Sequence, residues 1–501
     1  MLFVPRLGIE ADEAMVANGL YDHGQAWYSW KVANTEVPVM LISYLGALKT
    51  WFYKGVFLFA APRPTVLRLP MLLFAAASLW LFFELLDRTI GSRAAWVGTL
   101  LLATDTSYFL LNMADYGPVT LQFVIKLAAL VLLVRFHQKT NKKDLAWAFF
   151  LLGLGLWDKA IFAWVLFGLA IAAVAVFPRD LRKHLSGANI AVAGLAMLAG
   201  ALPLVIYNIA RPLETLRSNA HLSQMELPHK TDILEQTMDG YVLFGFLTAV
   251  EPGPQPGEAK HWHQSLSLAM SRWTGQPRHN AMLWAAIASV LALAFLFRSP
   301  ARQPILFGLI ACAATWLPMV LTAGAGGAAH HVILLWPFQL LPIAAVLSRI
   351  PMAPAAMVTA LLCGSDLAVT NQYYADLIRN GPTVRWTDAM DPLQRYLTDL
   401  HAQQIVAADW GFMESMNLLS EGQLPMANAD IGNDQALSAL LRDPQNVFVA
   451  HAPGLAYQPE QRSALENAAS RENYQEEPLT TIHDRNGRPT FDVFRFRKLH
   501  L

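Results

Sequence analysis

The segment GIEADEAMVANGLYDHG, residues 8–24, places three carboxylates, Glu10, Asp12 and Glu13, within four positions. Carboxylates have a reference pKa of about 4, so each is ionised at neutral pH and able to take a proton from an incoming hydroxyl. Further polar groups recur in short loops downstream: Glu36 in ANTEVPVML, Asp115 in MADYGPV, Asp158 and Lys159 in LWDKAIF, and the pair His330, His331. A cation among such acids steadies an anionic leaving group such as phosphate, and the acids themselves suit orienting an acceptor or holding a divalent ion.

These groups must be positioned by a chain that is 54% hydrophobic and only 15% charged, with 15 tryptophans among 501 residues. Soluble domains carry charge on about a quarter of their residues, so the composition points to a polytopic membrane protein. The formal net charge is zero, and a nucleic-acid partner, which calls for a basic excess, is not indicated. Cys312 and Cys363 both lie in apolar runs, with neither a disulfide framework nor zinc spacing. MLFVPRLGIEADEA lacks the basic start and apolar stretch of a signal peptide.

Apolar runs long enough to cross a bilayer fall near 68–87, 93–112, 118–135, 160–177, 188–207, 281–297, 304–322, 331–348 and 353–370. The shorter run 145–157 is too apolar for water and brings the count to about ten spans. Loops after the odd-numbered spans carry twelve basic residues, Arg88, Arg135, Arg179, Arg298 and Arg349 among them, whereas the alternate short loops carry one, Lys159. That asymmetry puts the first set in the cytoplasm and turns the acidic start, Asp115, Asp158, Lys159 and the histidine pair outward. Residues 38–61, with Lys49, Trp51, Tyr53 and Lys54 near the centre, fit an interfacial helix better than a span. Within the spans, Asp105 and Lys126 are spaced to face each other at one depth and are expected to pair.

The fold class expected is mainly α: a polytopic transmembrane helical bundle with a small C-terminal extracytoplasmic α/β domain. Residues 1–67 form an outward acidic loop with interfacial helices, 68–370 the bundle, including an outward loop 208–280, and 371–501 the soluble domain. That domain holds 17 acidic and 11 basic residues, with strand-like QQIVAADWG, NVFVAHA and PTFDVFRF between helical patterns at 391–401 and 459–470. The loop 208–280 contains five of the 14 histidines, in no ligand spacing, and AGAGGAA at 323–329 lacks the ending of a phosphate loop and reads as a turn.

ADEAMVANGLYDHG, a Glu-x-Pro segment leading into an aromatic, lysine-bearing stretch, and PTVLRLPMLLFAA before the first full span together resemble the glycosyltransferase-C superfamily of integral membrane enzymes. The resemblance is to the branch of protein O-mannosyltransferases and lipid A aminoarabinose transferases, and it runs in motif order over residues 8–210. It implies that Asp12 and Glu13 are the first-loop acids, one of them the base on the acceptor, and that Asp115 is the second-loop acid. Glu36 is similar to the family's Glu before proline, although EVPV stands where a lysine and two prolines are expected. His330 and His331 resemble outward histidines of some members. Those enzymes also have a span before the Asp-Glu loop, which MLFVPRLGI is too short to supply.

The implied activity is transfer of a sugar from a polyprenyl-phosphate donor to an acceptor hydroxyl on a lipid, glycan or protein. Outside the cell no nucleotide sugar is at hand, and a donor whose chain dissolves between helices brings its phosphate to headgroup depth. Asp12 would deprotonate the acceptor, Glu13, Glu36 and Asp115 would orient it or hold a divalent metal ion, and Lys159 with a histidine would offset charge on the departing phosphate. Direct displacement inverts the anomeric centre. A bacterial inner membrane is the expected home, and a transporter or lipid flippase is the rival reading. Plainer roles compete at each residue: helix-start acids at 10–13, a cap at Asp115, an interfacial anchor at Lys159 and hydrogen-bonded surface histidines at 330–331.

Overall fold

The computed structural model describes residues 2–21, 26–33, 35–223, 226–292, 301–429 and 433–499. Helix α1 (Ala11–Asn18) leads into a small antiparallel sheet of β1 (Tyr28–Val32), β2 (Thr35–Ile42) and β3 (Leu45–Gly46), followed by α2 (Leu48–Val56). The stretch expected to be one interfacial helix over 38–61 therefore opens as strand and turns helical only from Leu48. Val39 and Met40 are fully buried neighbours, and a strand enclosed on both faces shows the continuous apolar run that a buried helix also shows.

The bundle follows as α3 (Pro64–Thr89), α4 (Ser92–Thr104), α5 (Thr106–Ala114), α6 (Thr120–Lys139), α7 (Lys142–Asp158), α8 (Phe162–Val176), α9 (Pro178–His184) and α10 (Gly187–Ala210). The loop after it carries α11 (Glu214–Asn219), α12 (Leu227–Met238) and α13 (Trp262–Trp273), and the bundle resumes with α14 (Met282–Ala292), α15 (Arg302–Leu321), α16 (Ala329–Val332), α17 (Leu340–Leu347) and α18 (Met352–Arg379). Among the described residues five helices are long and apolar enough to cross a membrane, or up to eight if each bent pair is one span. The expected figure of about ten also counted α7 and the run 281–297, of which α14 is described only to Ala292 and residues 293–297 lie outside the described residues. Glycines let the helices close up: a Cβ on Gly153 of α7 would strike the Met197 carbonyl of α10, and one on Gly200 would strike that of Phe150.

Asp105 and Lys126 do not pair. The helix breaks at Asp105 with a bend of 58°, and the carboxylate caps α5 by accepting from the Tyr108 N–H (2.7 Å) and from Trp336 Nε1 (2.9 Å). Lys126 Nζ instead donates to the carbonyls of Leu334 and Trp336, both at 2.5 Å, in the break between α16 and α17. Each charge finds its partner in an unwound segment, where backbone groups are free of helical bonds. Lys126→Met is accordingly expected to cost about 2 kcal/mol through two stranded carbonyls. Adding Asp105→Asn should bring no recovery of the melting temperature.

Past α18 the chain builds α19 (Met390–Asp399), β4 (Ile405–Ala407), α20 (Met413–Leu419), β5 (Met426–Asn428), α21 (Asp434–Arg442), β6 (Val447–His451), α22 (Pro459–Arg471), β7 (Tyr474–His483) and β8 (Pro489–Lys498). The sheet order is β5-β4-β6-β8-β7, with β5, β4 and β6 parallel and the remaining pairs antiparallel. The three strand-like runs and both helical patterns expected here are present; β5, β7, α20 and α21 were not read from the sequence. The N-terminal segment fastens this unit to the bundle. Gly8 N–H donates to the Trp386 carbonyl (2.8 Å), Ser415 Oγ donates to the Ile9 carbonyl (2.9 Å), and Phe3, Val4 and Leu7 are buried in the bundle's core.

Candidate active site

Glu10 caps α1, its Oε2 accepting from the Asp12 N–H at 2.7 Å. One turn on, Glu13 is buried and accepts both Nε (2.8 Å) and Nη2 (2.7 Å) of Arg68, an arginine in the second turn of α3. The same guanidinium donates to the carbonyls of Val4 (3.3 Å), Leu7 (3.0 Å) and Gly8 (2.6 Å), so all five of its N–H groups are used. The acidic segment is thereby clamped to the end of α3.

Asp115 follows α5 in the left-handed region, at φ 47°. It pairs with Lys49 of α2 and accepts from the Thr120 N–H (3.2 Å) at the start of α6. The capping role weighed for it is thus present, displaced from Pro118 to Thr120. Asp158 ends α7 and accepts from Gln122 Nε2 at 2.7 Å. Lys159 next to it is buried, and its Nζ donates to the Gly117 carbonyl at 2.6 Å. Gly117 is needed there: its φ is +66°, and a Cβ would run into the ring of His330. His330 and His331 open α16 with ring centroids 4.2 Å apart, and His330 meets Tyr116 edge to face at 4.6 Å. Nδ1 of each histidine has no hydrogen-bond partner among the described residues.

Asp12 differs from its neighbours. Among the described residues no side chain is hydrogen-bonded or ion-paired to its carboxylate, while Lys159 and Arg385 lie within electrostatic reach. Burial pushes the Asp12 carboxyl above the ordinary range, and those two cations pull the other way. Arg385 comes from the segment between α18 and α19. It lies 3.5 Å from Glu10, and its guanidinium stands over the rings of Phe246 (5.2 Å), Tyr457 (5.4 Å) and Trp410 (5.5 Å).

Asp12, Glu13, Asp115, Lys159, His330 and His331 therefore gather at one end of the bundle. Glu36 does not join them: it is exposed on β2, opposite Lys31 of β1 across the hairpin, and among the described residues nothing ties it to the cluster. Lys49, Arg68 and Arg385 were missed from the sequence. Arg68, one turn into a 26-residue apolar helix, was a readable signal, since a charge at such a place needs a partner. Lys49 was read as a headgroup anchor but is 1% exposed. Among the described residues no three His, Cys, Asp or Glu side chains converge as ligands for a divalent ion, and Glu13 and Asp115 are each already matched by a cation. The residues described do not fit the metal weighed above.

Burial and the neighbouring Asp12 carboxylate push Glu10 up to about 8, against the pull of Arg385. A carboxyl whose folded pKa is raised favours the folded state while protonated, and that contribution fades as pH climbs from its unfolded pKa of about 4.5 through about 8. The melting temperature of Glu10→Gln relative to the parent chain is therefore expected to rise across this window and level off above it.

Residues 47–207 match the family model of the dolichyl-phosphate-mannose-protein mannosyltransferases. No curated protein matches the sequence. Among solved structures the chain is similar to ArnT from Cupriavidus metallidurans bound to undecaprenyl phosphate, with a TM-score of 0.61 and 12% identity over 98% of this chain and 96% of that one. The apo state of the same protein gives a TM-score of 0.58 and 10% identity over 98% and 95%. The apo Archaeoglobus fulgidus oligosaccharyltransferase gives a TM-score of 0.47 and 13% identity over 94% of this chain and 66% of that one. At these identities the likeness to ArnT is one of fold.

Proposed function

We propose that the chain is an integral membrane glycosyltransferase of the glycosyltransferase-C superfamily, as the family match over residues 47–207 and the ArnT-like fold support, and that it moves a sugar from a polyprenyl-phosphate donor to an acceptor hydroxyl. The observation that carries the mechanism is the Asp12 carboxylate, which has no bonded side-chain partner among the described residues, whereas Glu13, Asp115 and Asp158 are each tied to one. Asp12 takes the proton of the acceptor hydroxyl as its oxygen bonds to the anomeric carbon. The bond from that carbon to the phosphate oxygen breaks, and polyprenyl phosphate departs with the electron pair, its charge offset by Lys159 and Arg385. Glu13 and Asp115 hold the frame through Arg68 and Lys49, and Tyr116 with His330 walls the site. Attack opposite the leaving group inverts the anomeric centre.

The proposed location is the extracytoplasmic face of a bacterial inner membrane. The asymmetry of basic loops supports it: Arg88, Arg135, Arg179 and Arg349 lie at the ends of α3, α6, α8 and α17, opposite the end that holds Lys159, His330 and Arg385. A donor that is a lipid is supported by the fold of ArnT, which binds undecaprenyl phosphate.

The test is turnover of undecaprenyl-phosphate sugars by the purified chain in liposomes, offered lipid, glycan and peptide acceptors in turn. Glycosylated acceptor with inverted anomeric configuration, released together with undecaprenyl phosphate, is the expected result. Product with retained configuration, or movement of intact donor between leaflets without transfer, would overturn the proposal.

A further inference from the structure

Helix α13 has its polarity inverted for a helix on a wet surface. The side facing the protein is polar: Gln264, Ser267 and Ser271 are buried, Gln264 accepting from the backbone at the start of its own helix and the two serines meeting polar residues at the C-terminal end of α18. Ser271 Oγ donates to Gln372 Oε1 (2.7 Å) and accepts from Arg379 (2.9 Å), and the Ser267 carbonyl accepts from Asn371 Nδ2 (3.1 Å). The side facing away is apolar. Trp262, Leu266, Met270 and Trp273 recur at helical spacing and are 77%, 50%, 40% and 85% exposed. Ala269 joins them, Ser265 and Arg272 are the exposed polar exceptions, and the helix contains no acid.

Depth decides what meets this face. Along α18, Asn371 lies about 28 Å and Arg379 about 40 Å from Met352 at 1.5 Å per residue. The hydrocarbon core is about 30 Å thick, so a helix packed beside residues 371–379 sits at the level of the headgroups. Tryptophans concentrate at that level, and an exposed arginine such as Arg272 suits the lipid phosphates found there. The chain then enters the apolar helix α14, on which Trp284, Ile287 and Leu291 are exposed as well.

We propose that α13 lies in the plane of the membrane, with its Trp262, Leu266, Met270 and Trp273 face seated in the leaflet from which the C-terminal end of α18 emerges. The occupant of the face is lipid at the boundary between headgroups and acyl chains. Burying it anchors the loop 208–280, which also delivers Phe246 to Arg385. The proposal requires the bundle to span a bilayer and holds whichever sugar is transferred.

A nitroxide at Leu266→Cys, in the full chain with Cys312→Ala and Cys363→Ala, tests it in nanodiscs of phosphatidylcholine and phosphatidylglycerol. Collision with oxygen should exceed collision with a water-soluble nickel chelate several-fold. The reverse order, or shielding from both together with a short label-to-label distance between two copies of the chain, overturns the proposal. A second reading avoids the cysteines: brominated lipid should quench the emission that Trp262→Phe, Trp273→Phe removes, and emission lost from an unquenched component counts against the proposal.

Discussion

Replacing Asp12 with asparagine is expected to lower kcat for sugar transfer by about 10²- to 10⁴-fold, the range a positioned general base contributes. The isosteric amide keeps the shape and loses only the proton-accepting charge. Because no side chain among the described residues is bonded to the carboxylate, its removal leaves no stranded partner. Melting temperature and affinity for undecaprenyl phosphate should therefore hold within experimental scatter. The helix start at α1 favours an anion at this position and would by itself make Asp12 a weaker base. Burial works in the opposite sense and prevails, leaving the carboxyl above its ordinary range and better matched to the task. Transfer by Asp12→Asn within threefold of the parent chain would remove Asp12 as the base. Loss of donor binding with unchanged chemistry on bound donor would make it a binding residue.

The bundle was legible because a span is a matter of length and apolarity, both read directly along the chain. The expectation of sidedness rests on arginines and lysines that collect in alternate loops. What failed were elements whose signals coincide. Val39 and Met40 lie within a strand that, covered on both sides, presents the same unbroken apolar run as a helix. The break at Asp105 did have a local mark, since a Thr-Asp-Thr sequence suits a helix N-cap even inside an apolar run. Taking that run as one straight helix placed Asp105 opposite Lys126, and the bend removes the pairing.

The gathering of acids at one end of the bundle was foreseeable from topology, but their partners were not. Glu13 with Arg68, Asp115 with Lys49 and Glu10 with Arg385 are 55, 66 and 375 residues apart. No periodicity connects such positions. Arg385 in particular follows the last helix of the bundle, and only the docking of residues 3–9 against 386 and 415 brings it to the acids. Glu36 illustrates the converse. Its place before proline made it a candidate, and the hairpin then turned it to the open side of the sheet.

Arg68→Met is expected to be the most destabilising single exchange in the chain, at about 3–5 kcal/mol, because it removes one partner of a buried pair and leaves the other uncompensated. The guanidinium also saturates three backbone carbonyls of the N-terminal segment, which lose their donors together. A loss of that size is a large share of a typical protein's total stability, so poor recovery of monodisperse protein and a lowered melting temperature are the measurements. Glu13→Gln should cost less, since the amide still accepts one hydrogen bond and Arg68 keeps its carbonyls. The double variant should cost less than the two singles summed, as expected for groups in direct contact. Strict additivity would show that the pair contributes nothing of its own. Activity separates holding from chemistry: the folded fraction of Glu13→Gln should keep kcat within about tenfold of the parent, whereas loss on the scale of a general base, 10²-fold or more, with an intact fold would move Glu13 from the frame into the reaction.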